Sequence, residues 1–178
     1  LEFKNIMVIT YYGGGCFRLA SGELSLLTDP QNNRLKADVV LDTLTPVDPE
    51  THESNRIGFP GEYEVKGIEI RGVGVKEEST EKFLKTVYSV RFEDIHFLFL
   101  GHLSQMPDVK LFEQVGEPDV LFVPTGADHF LPADVAARLT RQLEPSLVVP
   151  SFYKNPAEFL KLLGQKGENQ DKIVFRKK

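Results

Sequence analysis

The first hundred residues consist of short strand-like runs and contain almost no helix signal. The apolar runs are separated by Gly, Pro, Asn and Asp, which is typical of strands joined by turns. The predicted strands are 7–12, 16–19, 24–27, 39–41, 57–59, 62–65 and 68–75. Two longer apolar strands, 86–92 and 95–100, are separated only by Glu93-Asp94 and predict a hairpin. A chain with this pattern must bury its apolar side chains between sheets.

After Gly101 the pattern changes to an alternation of strands and helices, which favours a parallel or mixed sheet with helices outside. A helix is predicted behind Pro132, which suits a first helical turn. The last helix is the best marked, because Asn155-Pro156 opens it and Gly164 ends it. The predicted strands of this half are 120–123, 147–149 and 173–175.

Length and composition limit the functional classes. The 178 residues fit a single domain, 1–178. Residues 1–5 are not expected to belong to its ordered fold, because residue 1 is Leu rather than Met. The chain has 21 Lys and Arg against 26 Asp and Glu, so its net charge of −5 does not favour nucleic acid as a partner. No apolar run is long enough to span a bilayer, so no membrane association is expected. Cys16, the only cysteine, excludes an internal disulfide and suits a cytoplasmic location.

Several sequence blocks occur in the order of a known family. A strand leads to the glycine turn 13–15, a second strand ends at Asp29-Pro30, and the segment Ala37-Asp38-Val39-Val40-Leu41-Asp42-Thr43 enters a loop. This order resembles the metallo-β-lactamase superfamily, in its short branch of stand-alone metal-dependent hydrolases. The resemblance implies a four-layer αβ/βα sandwich of two mixed β-sheets with helices outside. It also implies a zinc or manganese site in the loops at one edge.

The residues at the metal-ligand positions depart from that family. The ligand loop of the resemblance is Thr43-Leu44-Thr45-Pro46-Val47-Asp48-Pro49, so that Leu44, Pro46 and Pro49 stand where histidines are expected and only Asp48 is retained. Gly14 matches the histidine of the glycine turn, and Phe152 matches the last ligand histidine. Leu, Pro, Gly and Phe side chains provide no metal donor. We therefore expect no metal and no cofactor.

Two roles remain open for the polar side chains near this loop. One is a relocated site built from Asp48, His52, His102 and His129. The other is purely structural, with Asp29 accepting backbone N–H bonds at its strand end and Asp48 accepting hydrogen bonds from Thr43 and Thr45. The residues considered for a residual polar site are Asp29, Asp48, His52, His102, His129 and Tyr153. The tyrosines expected along the former cleft are Tyr11, Tyr12, Tyr63 and Tyr153.

The leading functional prediction is a metallo-β-lactamase-like protein that has lost its metal and serves as a non-catalytic binding or scaffolding protein. Its partner would be a small molecule or a protein. The alternative is a hydrolase of esters, lactones or phosphoesters that uses the relocated or residual site. A third reading is a structural subunit whose cleft edge forms a homo-oligomer interface.

Overall fold

The computed structural model describes residues 6–50, 53–126 and 128–177. Its strands are β1 (Met7–Tyr11), β2 (Phe17–Ser21), β3 (Leu24–Thr28), β4 (Val39–Leu41), β5 (Leu44–Pro46), β6 (Arg56–Ile57), β7 (Gly61–Val65), β8 (Ile68–Gly74), β9 (Phe83–Phe92), β10 (Ile95–Phe99), β11 (Val120–Pro124), β12 (Leu147–Ser151) and β13 (Lys172–Phe175). Its α-helices are α1 (Val109–Val115), α2 (Ala133–Leu143) and α3 (Ala157–Leu163). None of the helices in these ranges has the length and apolar character needed to cross a membrane.

The strands form two mixed sheets. The first has the order β13-β1-β2-β3-β4-β6, in which β4 runs parallel to β3 and β6 and the other pairs are antiparallel. The second has the order β12-β11-β10-β9-β8-β7, with β5 paired to β9 beside this path. Here β10, β11 and β12 are parallel, while β7 to β10 are antiparallel. The change to parallel pairing coincides with the predicted start of the helix and strand alternation.

The two sheets face each other across an apolar core. Successive side chains of a strand point to opposite faces, so alternate residues of each strand enter this core. On β9, Tyr88 and Val90 point inward, whereas Val87 packs on the helical side. Large buried members of the inter-sheet core include Met7, Phe17, Leu19, Phe92, Phe97 and Phe122. At roughly 1.5–3 kcal/mol for each fully buried large side chain, this core dominates the stability of the sandwich.

The three helices all pack on the outer face of the second sheet. Residues such as Leu111, Leu139 and Phe159 meet the outward side chains of β8 to β11 there. The outer face of the first sheet carries a much smaller buried cluster of Cys16, Leu27 and Val40, covered by the loop between β3 and β4. The predicted sandwich of two mixed sheets with helices outside is confirmed. Among the described residues the α-helices cover the second sheet only, because the loop between β3 and β4 lies on the outer face of the first sheet where the four-layer prediction placed helices.

Most of the predicted elements are present, and some elements of the structure were not predicted. The Glu93-Asp94 hairpin forms, and both residues take positive φ, of 52° and 60°. The last helix has the predicted ends, because Asn155 Oδ1 accepts the N–H of Ala157 and Gly164 adopts φ 68°. The predictions missed α1, which the Asp108 side chain caps, and β5, whose residues were interpreted as part of a ligand loop.

Candidate functional site

Asp29, Thr43 and His102 form a continuous hydrogen-bonded chain at one edge of the sandwich. Asp29 follows β3, Thr43 precedes β5, and His102 follows β10. Oδ1 of Asp29 accepts the backbone N–H of Thr43 at 2.8 Å. The Thr43 Oγ1 atom lies 2.6 Å from Oδ2 of Asp29 and 2.7 Å from Nδ1 of His102. The prediction that Asp29 accepts a backbone N–H bond and fixes this loop is confirmed. Through the Thr43 hydroxyl, Asp29 is also connected to His102, which follows β10.

Burial shifts the pKa values at both ends of this chain. Loss of solvation raises the pKa of Asp29 to about 7, although the two hydrogen bonds from Thr43 oppose the shift. Burial and, to a smaller extent, the nearby Lys85 ammonium lower the pKa of His102 to about 4. His102 is therefore a neutral imidazole at neutral pH, and Asp29 titrates near neutrality.

His102, Phe130 and Phe152 form an aromatic cluster beside the chain. The rings of Phe130 and Phe152 are stacked with centroids 4.6 Å apart and an interplanar angle of 12°. The His102 ring lies 4.6 Å from the Phe152 ring and 5.6 Å from the Phe130 ring, measured between centroids. These distances are typical of favourable aromatic contacts. The cluster excludes solvent from one side of the imidazole, which accounts for the desolvation of His102.

The glycine turn before β2 provides the space that the Phe152 ring occupies. A Cβ atom at Gly15 would overlap this ring, and one at Gly126 would overlap the Phe152 carbonyl oxygen. The backbone N–H of Phe152 donates to the Gly14 carbonyl at 3.0 Å, and Phe152 adopts a positive φ of 50°. Phe152 is thus held in an uncommon backbone conformation with its ring against residues that have no side chain.

The inherited ligand positions do not fit a metal ion. Leu44 and Pro46 are exposed residues of β5, and neither these nor Phe152 offers a nitrogen or oxygen donor. Asp48 would be the single donor of the set. Within 6–50, 53–126 and 128–177, no three His, Cys, Asp or Glu side chains converge as a metal site would require.

The structure separates the other residues considered for a residual site. Asp48 is exposed, so the prediction that it braces the loop was wrong, because the Thr43 hydroxyl is directed to Asp29 and His102 instead. His129 is exposed as well. The Tyr153 ring stacks on Tyr11 with centroids 6.0 Å apart. His52 lies outside the described residues.

Sequence reasoning assigned Thr43 to Asp48 rather than to Asp29 and His102, and it missed Phe130. Thr43 and His102 are 59 positions apart, and nothing in either segment indicates that they touch. Phe130 comes from the loop between β11 and α2, where a single aromatic residue is not distinctive. A weak signal existed at Gly126, since a glycine between a buried strand and a loop often marks a close backbone approach.

A group of exposed apolar residues lies on and beside β5, which directly follows Thr43 in the sequence. Leu44, Val47 and Phe83 are 37%, 43% and 45% exposed, and Pro46 is exposed as well. Pro46 stands directly opposite Phe83 in the β5 and β9 pair, so both side chains lie on the same face. We call these four residues the apolar edge. Contiguous exposed apolar groups of this kind mark interaction surfaces more often than isolated ones do.

Comparison with known families agrees with this arrangement of strands and site loops. The sequence model of the family described as "Beta-lactamase superfamily domain" matches residues 8–151. The chain belongs to the metallo-β-lactamase superfamily. The matched segment contains the glycine turn, Asp29, the whole of β5 and His102. A search of curated proteins gave no match.

Solved structures share the fold over most of the chain. A proposed Zn-dependent hydrolase of the superfamily from Thermotoga maritima is 29% identical, with a TM-score of 0.75, covering 88% of this chain and 85% of that one. Igni18, a metallo hydrolase from Ignicoccus hospitalis, is 16% identical, with a TM-score of 0.73 and coverages of 97% and 100%. YhfI from Bacillus subtilis, a metallo-β-lactamase fold protein, is 10% identical, with a TM-score of 0.70 and coverages of 96% and 99%. The last two show the fold alone.

Proposed function

We propose that this protein is a non-catalytic binding or scaffolding member of the metallo-β-lactamase superfamily that has lost the metal. The observation that carries the proposal is the position of Phe152. By the family resemblance Phe152 matches the last ligand histidine, and its ring lies against the glycine turn and stacks on Phe130. The phenyl ring has no nitrogen or oxygen donor for a divalent cation, and its packing contributes apolar contacts instead.

The partner that fits the site is a protein with an apolar segment. The side chains of the apolar edge are exposed. Two cavities of about 350 Å³ lie elsewhere, one lined by the β7–β8 and β9–β10 turns and the other by the loop after β3. A partner chain could cover the exposed side chains of the apolar edge. The buried free thiol of Cys16 suits a reducing compartment such as the cytoplasm.

Metal analysis tests the loss of the cation. The purified protein is incubated with zinc or manganese, dialysed against a mild chelator and subjected to elemental analysis. The matched control replaces Leu44, Pro46, Pro49 and Phe152 together by His, which restores the donor types of the family. We expect the parent to retain no stoichiometric metal and the control to retain more. One metal ion per parent chain after dialysis would refute the proposal.

The second candidate function is hydrolysis of esters, lactones or phosphoesters, and the chain from Asp29 to His102 favours it. A neutral histidine oriented through a hydroxyl by a carboxylate has the arrangement of a general base. Turnover of simple ester, lactone and phosphodiester substrates should be measured for the parent and for His102→Phe. Activity that is lost in the variant supports the hydrolase, and absence of activity in both supports the binding protein.

A further inference from the structure

The Thr43 hydroxyl has too few protons for the contacts it makes. It has one hydrogen, yet its oxygen lies within 2.7 Å of both Asp29 Oδ2 and His102 Nδ1. If neither neighbour carried a proton, one of these short contacts would join two lone pairs, which is repulsive. The chain therefore holds a second proton, either on Oδ2 of Asp29 or on Nδ1 of His102.

The two placements of this proton produce opposite directions of hydrogen bonding. With Asp29 ionised, Thr43 donates to Asp29, His102 donates through Nδ1, and Nε2 has a lone pair. With Asp29 protonated, Asp29 donates to Thr43, Thr43 donates to His102, and the imidazole proton is on Nε2. The imidazole is neutral in both states. The other oxygen of Asp29 accepts the Thr43 backbone N–H in either case.

The Nε2 atom of His102 is the point at which the chain can exchange a proton. It makes no hydrogen bond within the described residues, and His102 is only half-buried. A proton that binds Nε2 allows the Nδ1 proton to pass to Thr43 and the Thr43 proton to pass to Asp29. The His102 ring gains a proton at Nε2 and loses one at Nδ1, the Thr43 hydroxyl gains one and loses one, and Asp29 keeps the added proton.

We propose that Asp29, Thr43 and His102 form a proton relay, in which a proton taken up at Nε2 of His102 is stored on Asp29 and Nε2 changes from a hydrogen-bond acceptor to a donor. This regulation rests on the proposed function, since it sets which polar group His102 offers a partner beside the apolar edge. A partner hydrogen-bond donor is favoured above neutral pH, and an acceptor is favoured below it.

The charged groups around Asp29, Thr43 and His102 make Asp29 the group that takes up this proton. Asp42 and Arg56 both act on Asp29, but they pair with each other at 2.5 and 2.9 Å and largely cancel. The other two groups that Asp29 influences are neutral, because burial raises the pKa of Cys16 to about 11 and raises that of Tyr88. On the histidine side, the Lys85 ammonium, which pairs with the Glu78 carboxylate at 3.0 Å, disfavours a doubly protonated ring. The raised pKa of Asp29 places the exchange near neutrality.

Nuclear magnetic resonance of the protein labelled with ¹⁵N at histidine tests the relay directly, because the ring nitrogen shifts distinguish the two tautomers. We expect His102 to change from the Nδ1–H to the Nε2–H form as the pH falls from about 9 to about 5, without becoming doubly protonated. His96 is the internal control. Its Nδ1 lies 2.8 Å from the Glu117 carbonyl oxygen, which can only accept, so its neutral tautomer is fixed.

Asp29→Asn should lock His102 in the Nε2–H form. The Asn oxygen must accept the Thr43 backbone N–H, so its NH₂ group is directed to Thr43 Oγ1 as a protonated carboxyl would be. Thr43→Val removes the connecting hydroxyl, and the tautomer should then no longer change with pH. A single tautomer of parental His102 at every pH, or double protonation of the ring near neutrality, would overturn the relay. This readout involves neither partner nor metal, so its failure is separable from that of the proposed function.

Discussion

Among the described residues, two desolvated histidines lie on or just after β10, and their partners differ. His96 is 4% exposed, with Nδ1 at the Glu117 carbonyl and Nε2 at 2.7 Å from the Ser89 hydroxyl. His102 is half-buried, and its one hydrogen-bonded nitrogen meets the Thr43 hydroxyl. Burial lowers the pKa of both rings. Burial therefore favours the neutral form of each ring. The carbonyl partner of His96 can only accept, so it fixes the tautomer of that ring. The hydroxyl partner of His102 can donate or accept, so the tautomer of His102 depends on the protonation of Asp29, which binds the same hydroxyl.

The largest loss of stability should come from replacing His96, the histidine whose tautomer is fixed. His96→Phe leaves the Glu117 carbonyl and the Ser89 hydroxyl without their ring partner, so we expect a loss of roughly 2–4 kcal/mol in the free energy of unfolding. His102→Phe should cost less than about 1 kcal/mol, because Thr43 can still donate to Asp29 and the new ring would lie among aromatic neighbours. Urea unfolding of both variants measures the contrast. Equal losses would show that the two sites are energetically alike.

Removing the Phe152 ring, which covers His102, should bring the pKa of His102 closer to its ordinary value. Phe152→Ala takes away a half-buried ring and should lower the free energy of unfolding by about 1–3 kcal/mol. Because burial is the main cause of its low value, the pKa of His102 should rise from about 4 toward the ordinary 6.5. Tyr153→Ala is the matched control, since that ring stacks on Tyr11 rather than on His102. A pKa that stays low in Phe152→Ala contradicts the covering role of the aromatic cluster.

The pH dependence of stability should identify the storage site of the proton. The folded pKa of Asp29, about 7, lies above its ordinary value of 3.8, so the folded state binds more protons between these values. The contribution of Asp29 to stability is therefore fully present at low pH and is lost as the pH rises through about 7. Asp29→Asn should flatten this part of the profile, measured by chemical unfolding at several pH values. Asp48→Asn, at an exposed carboxylate, should leave it unchanged.

The smallest loss of stability is expected from removing the Ser89 hydroxyl, which contacts His96. Ser89→Ala removes the Nε2 partner of His96 and should cost about 1 kcal/mol, while the Glu117 carbonyl still holds the ring tautomer. Histidine spectra and urea unfolding check both statements. A tautomer change at His96 in this variant would mean that its carbonyl contact does not fix the ring.

Local sequence signals predicted the fold better than the site. Asn155 and Gly164 mark the ends of α3 because capping depends on a few neighbouring residues. Asp29 was predicted correctly for a similar reason, since a carboxylate at a strand end can fix the next loop. The strand β5 was missed because a run of Leu, Thr and Pro has little periodicity, and its pairing with Phe83–Lys85 is supplied by the tertiary fold.

The error in the predicted role of Asp48 has a physical cause. Proximity along the chain suggested that Thr43 and Thr45 would serve the nearest acid, but strand alternation sends the side chains of this segment to different faces. Thr43 and Thr45 are buried, whereas Asp48 is exposed beyond the end of β5. The contact between Thr43 and His102 depends on where β10 ends relative to β4, and no local pattern encodes that distance.

The pairing of β1 with β13 has a consequence for biosynthesis. Met7 stands opposite Phe175, so the first sheet joins segments made at very different times during translation. Until residues 172–175 leave the ribosome, one side of β1 has unpaired backbone groups that can recruit another chain. Nascent chains should thus be most prone to aggregate just before β13 is complete, and slow closure of this long-range pair should limit the rate of folding.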